Sequence, residues 1–490
     1  MLRSSAYVAL LAARAAAALL APGYVHPDEY FQGVEVAAGE WLSVASARAW
    51  EWAPPAGGGG GGVRSLASRA VSADAPLALL AAARAVAPEW VEPAMPRCVL
   101  CVCAWARARV RACVRGCTAS ARARSLPSHM PELTSVRACA HMHARRLVFL
   151  LPRLASLLVS LCVDACVYTH ARATAGKGAA EGALLALAAS WPAATLMARP
   201  LSNSAETALV ALLCALCAQP CARRVRTLVL AGATLGALVA LGVAVRPTFV
   251  VFAVSPLAVR ALHQVAELPA RSFLAAWSAF AAAFAFTACA LAVADGAYLA
   301  SVAKLYHDDA LAHTRVDAFV FTPLRFLAYN AAHAHEHGMH PHWLHTCINV
   351  PLLLGPTLAG LVYTNVWATL LGGKDGCRLF PLVTLPARVA AMTAAARARL
   401  VAAMCCALSL AVLSAAPHQE PRFLLPLVVP ATLLGGEALA RSRGLRTAHL
   451  IFGGLGLAFF GWLHQVCAPC ASTLASIRPR PDAGTDALLT

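Results

Sequence analysis

The segment YVALLAARAAAALLAPGYVHPDEYFQGVEV (Tyr7–Val36) passes from an apolar stretch, interrupted only by Arg14, into a histidine, two adjacent carboxylates and a glutamine. A helix leaving a membrane has this form, apolar through its length with polar groups gathered at its end. The pattern recurs along the chain. Eleven apolar stretches of spanning length are expected near 5–22, 147–168, 180–197, 205–221, 227–245, 248–263, 272–293, 344–364, 400–416, 423–439 and 447–466. Arg14 has to snorkel or face protein. A β-barrel would alternate polar and apolar residues, and these runs are continuous.

Composition agrees. Hydrophobic residues make up 60% of the chain and charged residues 13%, against about 25% charged in soluble domains. Mean hydropathy is +0.65. The residues specify an all-α polytopic membrane protein. A net charge of +17 would suggest nucleic acid, yet only three of the 40 basic residues are lysine (Lys177, Lys304, Lys374). With alanine abundant and isoleucine scarce, this is the mark of GC-rich coding. Much of the arginine sits in short loops, so no nucleic-acid partner is expected. Eighteen scattered cysteines, many inside apolar runs, give no disulfide framework.

With a cytoplasmic N-terminus, RRVR (Arg223–Arg226), RSRGLR (Arg441–Arg446) and the arginine-bearing stretch 365–399 share the cytoplasmic side. The opposite side, expected to include 23–146, 295–343 and 418–422, collects HPDEYFQ, RPLSNSAE (Arg199–Glu206), Arg246, Asp295, YNAAHAHEHGMHPHWLH (Tyr329–His345) and HQEPR (His418–Arg422). Of only four asparagines, Asn203, Asn330 and Asn349 fall in these clusters. Asn203 reads equally as a helix cap or as a ligand contact. Residues 94–146 are a low-complexity arginine-cysteine insert; Cys98, Cys101 and Cys103 lack the second spaced pair that a zinc site needs, and no metal is expected. GGGGGG (Gly57–Gly62) reads as a flexible linker.

Acids at span ends, rather than deep within spans, favour an enzyme acting at the membrane surface over a transporter. Asp164 is the main exception, and Arg153 is its expected partner. A carboxylate beside the membrane can take the proton of an acceptor hydroxyl during sugar transfer, and an arginine can neutralise a departing phosphate. No Walker A loop, GxSxG elbow, HExxH helix or DxD pair stands out. From spacing alone, Asp28 and Glu29 read either as that base or as acids opening a helix.

HPDEYFQGVEV, RPLSNSAE, RPTF (Arg246–Phe249), TPLRFLAYN (Thr322–Asn330), HGMHP (His337–Pro341), NVPLLLGP (Asn349–Pro356) and HQEPRFLLPL (His418–Leu427) occur in the order seen in glycosyltransferase family 22, over about two thirds of the chain. The resemblance implies a GT-C-type glycosyltransferase fold with about eleven transmembrane helices and lumenal loop helices, in a single domain over 1–490 with a tail at 467–490. The pattern is most similar to members that transfer mannose from dolichyl-phosphate mannose to the third mannose of a glycosylphosphatidylinositol (GPI) precursor, in α1,2 linkage, in the endoplasmic reticulum membrane. It implies Asp28 as base, with Glu29 orienting it or capping the following helix. Arg246 or Arg422 would meet the donor phosphate. His26, Gln32, Asn203, Glu206, Asp295, Asn330, His337, His340, His418 and Glu420 are the further substrate-binding candidates. The lipid-linked donor and the GPI glycolipid are the expected partners; no cofactor is expected and no protein partner can be inferred. Two departures stand out: the insert 94–146, and Arg325, where the family often has Asn. A sister lipid-linked mannosyltransferase and, from another class, a transporter or scramblase are the alternatives.

Overall fold

The computed structural model describes residues 5–21, 28–42, 44–45, 49–52, 62–86, 133–222, 224–303, 319–333, 338–371, 384–463 and 478–479. His26, His337, the insert as far as residue 132, Gly57–Gly61 and nearly all of the tail lie outside them, and in 133–146 only the backbone is described. The described residues are helical apart from loops and a two-residue pairing of Val44–Ala45 with Arg478–Pro479.

Among the described residues, seven helices are long and apolar enough to cross a membrane: Leu147–Ala189, Val225–Val245, Phe249–Glu267, Ala270–Ala303, His345–Leu370, Ala394–Ala415 and Pro421–Arg441. In its described residues, each of the eleven expected stretches is mainly helical. The counts differ for physical reasons. Two expected spans merge into Leu147–Ala189, which is broken at Gly176, where φ is +87°, a conformation that a residue with a Cβ rarely adopts. Ser5–Leu20 and Ser202–Cys217 are apolar but only 16 residues long, and Arg443–Ala458 has the same length before a closing π-turn. Ala270–Ala303 exceeds its expected 272–293 because the helix carries on to Asp295 and beyond.

In lipid the helices gain little from hydrophobic burial against one another, so close packing of small residues holds them together. The alanine-rich composition supplies such seams. Leu133–Ala189 packs along Val428–Arg441 through Gly182 and Gly436; a Cβ on Gly436 would lie 2.6 Å from the Ala183 backbone. Val225–Val245 and Ala270–Ala303 form the most extensive pair.

The first helix is fixed by charge as well. Arg14 donates to both Asp164 carboxylate oxygens at 3.1 Å, and the Tyr7 hydroxyl donates to Asp164 at 2.7 Å, all fully or almost fully buried. This corrects the expected Asp164–Arg153 pair. Those two residues are 11 positions apart on one helix, a rise of roughly 16 Å, and the bundle gives each a partner on another element. Asp164→Leu leaves Arg14 buried and unpaired, so destabilisation of about 3–5 kcal/mol is expected. The triple change Tyr7→Phe, Arg14→Met, Asp164→Leu should recover most of it. Thermal unfolding in detergent measures both, and equal losses in the single and triple variants would show that the group is not coupled.

Candidate active site

Asp28 and Glu29 open the helical stretch that continues through the π-turn Tyr30–Val34 into Glu35–Leu42. As neighbours on a helix they point in different directions, and their surroundings differ accordingly. Glu29 is buried, with Oε1 2.8 Å from Arg153 and 3.0 Å from Arg199, both guanidiniums also buried. Arg153 donates to Ala21 O at 2.7 Å, Arg199 donates to Ala17 O at 2.9 Å, and Phe149 stacks on Arg153. Glu29 is therefore the counter-ion that binds the first helix's C-terminal carbonyls to two other elements, and not merely a cap.

Asp28 keeps 18% of its side chain exposed and pairs with Arg422. Arg422 also pairs with Glu420, whose other oxygen lies 2.9 Å from His418 Nε2. The His340 ring packs against His418 at 5.4 Å, and its Nδ1 accepts from the Gln419 amide. Asp28 and HQEPR, nearly 400 residues apart in sequence, thus form one continuous chain of acid and base.

RPLSNSAE and RPTF complete the wall. Asn203 donates to the Arg422 carbonyl at 3.1 Å and accepts from Arg246. It lies inside Ser202–Cys217, whose cap position is Leu201, so the capping alternative is excluded. Arg246 also donates to Ser202 at 2.9 Å and lies 3.2 Å from Glu206, which in turn accepts from Thr248. Burial pushes the Arg246 guanidinium down to about 10; Glu206 opposes that shift, and Arg64 and Arg422 reinforce it. Arg246 thus remains charged at neutral pH, but its partners are protein groups. Arg422 is the more open of the two expected phosphate ligands, with 15% of its side chain exposed.

The other expected residues are placed around this centre. Gln32 donates to Glu51, and its backbone carbonyl accepts from Trp52. Asp295 accepts from Ser65, the Leu66 amide and Thr322, so it ties the first loop to the helix Thr322–Ala332. Asn330 is exposed and donates back to Phe326 O of its own helix. Asn349 holds the buried His345, whose backbone amide donates to Gln419.

Sequence reasoning missed Arg64 and Glu51. Arg64 stands two residues after the glycine run, pairs with Glu51 at 2.9 Å and reaches the Phe326 ring. Gly62 packs against Leu299, and a Cβ there would meet Arg325 Nη1 at 3.3 Å. The end of the glycine run is thus fitted against the wall of the site. No motif marked these residues; the Glu-to-Arg spacing alone carried no signal.

The Alg9-like mannosyltransferase family matches residues 5–475. The chain belongs to this family. Among its relatives within that breadth, GPI mannosyltransferase 4 of Aspergillus oryzae is 28% identical over 94% of this chain and 68% of its own length. GPI alpha-1,2-mannosyltransferase 4 of Homo sapiens is 28% identical over 90% of this chain and 65% of its own. The chain thus spans about two thirds of the length of these relatives. Among solved structures, ArnT from Cupriavidus metallidurans bound to undecaprenyl phosphate aligns with 92% of this chain and 63% of its own, at 13% identity and a TM-score of 0.45. In this mannosyltransferase-family chain, Asp28 and the motifs RPLSNSAE, RPTF and HQEPR, four of the seven stretches that suggested the family, meet around Arg422.

Proposed function

We propose that this chain is a GT-C-type enzyme that transfers mannose from dolichyl-phosphate mannose to the third mannose of a GPI precursor, in α1,2 linkage. The observation that carries the reading is the pairing of a partly open carboxylate, Asp28, with a partly open guanidinium, Arg422, at one end of a membrane-embedded bundle. The names of the relatives point to the same acceptor class.

The acceptor oxygen attacks C1 of the donor mannose as Asp28 takes the hydroxyl proton. The C1–O bond breaks, its electron pair leaves with the dolichyl phosphate, and the anomeric centre inverts. Negative charge on the phosphate grows as the bond breaks, so a guanidinium stabilises the transition state more than the ground state. Arg422 can pass from Asp28 to that phosphate, which frees the carboxylate for its proton. Glu420 and His418 hold Arg422 from behind, and Asn203 fixes its backbone. Arg422→Lys is expected to lower kcat, because an ammonium lacks the planar fork that serves phosphate and carboxylate together; unchanged turnover would remove Arg422 from the phosphate.

The site would open to the lumen of the endoplasmic reticulum. The chain contains no Asn-x-Ser/Thr acceptor, so engineered sites report without background. One placed in 304–318 should be glycosylated and one in 372–383 should not; the reverse overturns the orientation. The deciding experiment for function is a membrane assay in cells lacking the fourth GPI mannose, with labelled dolichyl-phosphate mannose. A four-mannose glycolipid is expected. A smaller labelled product would indicate a sister transferase, and lipid movement without transfer would indicate a transporter.

A further inference from the structure

The end of the bundle away from Asp28 carries two arginines without a carboxylate partner among the described residues. Three helix ends come together there: the last turn of Ser202–Cys217, the last turns of Phe249–Glu267 and the first turns of Ala394–Ala415. Residues of all three line one recess of about 320 Å³, at the small end of the range of about 300–1,000 Å³ common to small-ligand sites. Arg260 lines it 11 positions beyond Phe249, a rise of roughly 16 Å from the helix start beside Arg246. Arg397 lines it from the first turn of its helix, where the helix dipole is positive.

Both guanidiniums are engaged through one nitrogen. Arg260 is buried, and its Nη1 donates to the carbonyls of Leu216, Cys217 and Gln219. Arg397 is half-buried, and its Nη1 donates likewise to Val389, Ala390 and Met392. These contacts close the C-terminal ends of Ser202–Cys217 and Leu385–Ala391. Carbonyl dipoles satisfy N–H groups but do not cancel a full positive charge. Glu267 lines the same recess, exposed, and among the described residues it pairs with neither arginine. Nor do Nε and Nη2 of either arginine hydrogen-bond to a described residue. Each guanidinium thus keeps its Nε–Nη2 edge, the fork that takes two oxygens of one anion.

We propose that this recess binds a phosphomonoester, held between the forks of Arg260 and Arg397. Two forks without a carboxylate call for a ligand with at least three terminal oxygens and close to two negative charges. A phosphomonoester has both. A carboxylate or a phosphodiester has two terminal oxygens and one charge, and fills a single fork. The recess stands where membrane-spanning helices end, so the ester belongs either to a lipid headgroup or to a soluble phosphate. The site is separate from the reaction at Asp28, and the proposal does not depend on the transferase reading.

Native mass spectrometry of the full chain in detergent tests it, at about pH 8, where the monoester is a dianion. Phosphatidic acid (a monoester), phosphatidylglycerol (a diester with the same acyl chains) and soluble glycerol 3-phosphate are added separately at equal concentration. If the ligand is a lipid, phosphatidic acid should be retained about tenfold more than phosphatidylglycerol, the scale of charge-assisted hydrogen bonds to a second fork. If it is a soluble phosphate, glycerol 3-phosphate should bind and the two lipids should not differ. Arg260→Lys with Arg397→Lys keeps both positive charges and a donor for each set of carbonyls, but neither fork. In that variant the preference for phosphatidic acid, or the binding of glycerol 3-phosphate, should be lost while phosphatidylglycerol is retained as before. Arg397→Lys alone, at the less buried of the two positions, should reduce the same signal should the double variant not fold. Equal retention of the two lipids by the unmodified chain, with no binding of glycerol 3-phosphate, overturns the proposal and leaves both arginines as helix caps. So does monoester binding that is indifferent to the lysine changes.

Discussion

Asp28→Asn should accumulate to the normal level in membranes and form almost no four-mannose product. The amide keeps the size of the carboxylate and one acceptor for Arg422, but it cannot take the acceptor proton. General base catalysis contributes roughly 10²–10⁴-fold, and kcat should fall by that factor with little change in KM. Asp28 sits at the open side of its cluster, 18% exposed, so the substitution leaves no buried charge stranded and the fold should hold. Transfer by Asp28→Asn at near-normal rates would remove Asp28 from the chemistry.

Glu29→Gln should fail differently, through the fold. Expected from sequence as a cap or orienting acid, Glu29 would be worth only about 0.3–1 kcal/mol at a helix start. The structure gives it two buried arginines, Arg153 and Arg199. Neutralising it leaves both without their counter-charge, and breaking a buried pair from one side costs about 3–5 kcal/mol. Against a total of about 5–15 kcal/mol for a typical domain, that is a large share. The yield of folded protein and the thermal midpoint should both drop, while the molecules that do fold retain transfer. A Glu29→Gln protein of normal stability and no activity would shift the base by one residue. Measured together, the two substitutions separate the reacting carboxylate from the structural one beside it.

The helices were legible because a bilayer obliges each spanning segment to satisfy its own backbone hydrogen bonds, and length with hydropathy is then sufficient to find them. The family was legible for a related reason: HPDE, RPLSNSAE, RPTF and HQEPR are short, local and polar in an otherwise apolar text. Side-chain partnership was not. Asp164 could be matched with Arg153 on paper because the two are neighbours in sequence, yet one helix sets them several turns apart, and Arg14 arrives from another element. Asn203 carries a cap signature but sits within its helix and spans from Arg246 to the Arg422 backbone. Arg64, two residues beyond a glycine run that reads as a linker, carried no signal in the sequence and belongs to the wall of the site. By itself, then, the sequence determined where the apolar helices lie along the chain and which polar residues stand at their ends. Only the tertiary structure decided that Glu29 is enclosed by two arginines while its neighbour Asp28 meets Arg422 in the open. Adjacent residues on a helix point about 100° apart, and which direction faces the interior is set by how distant helices pack.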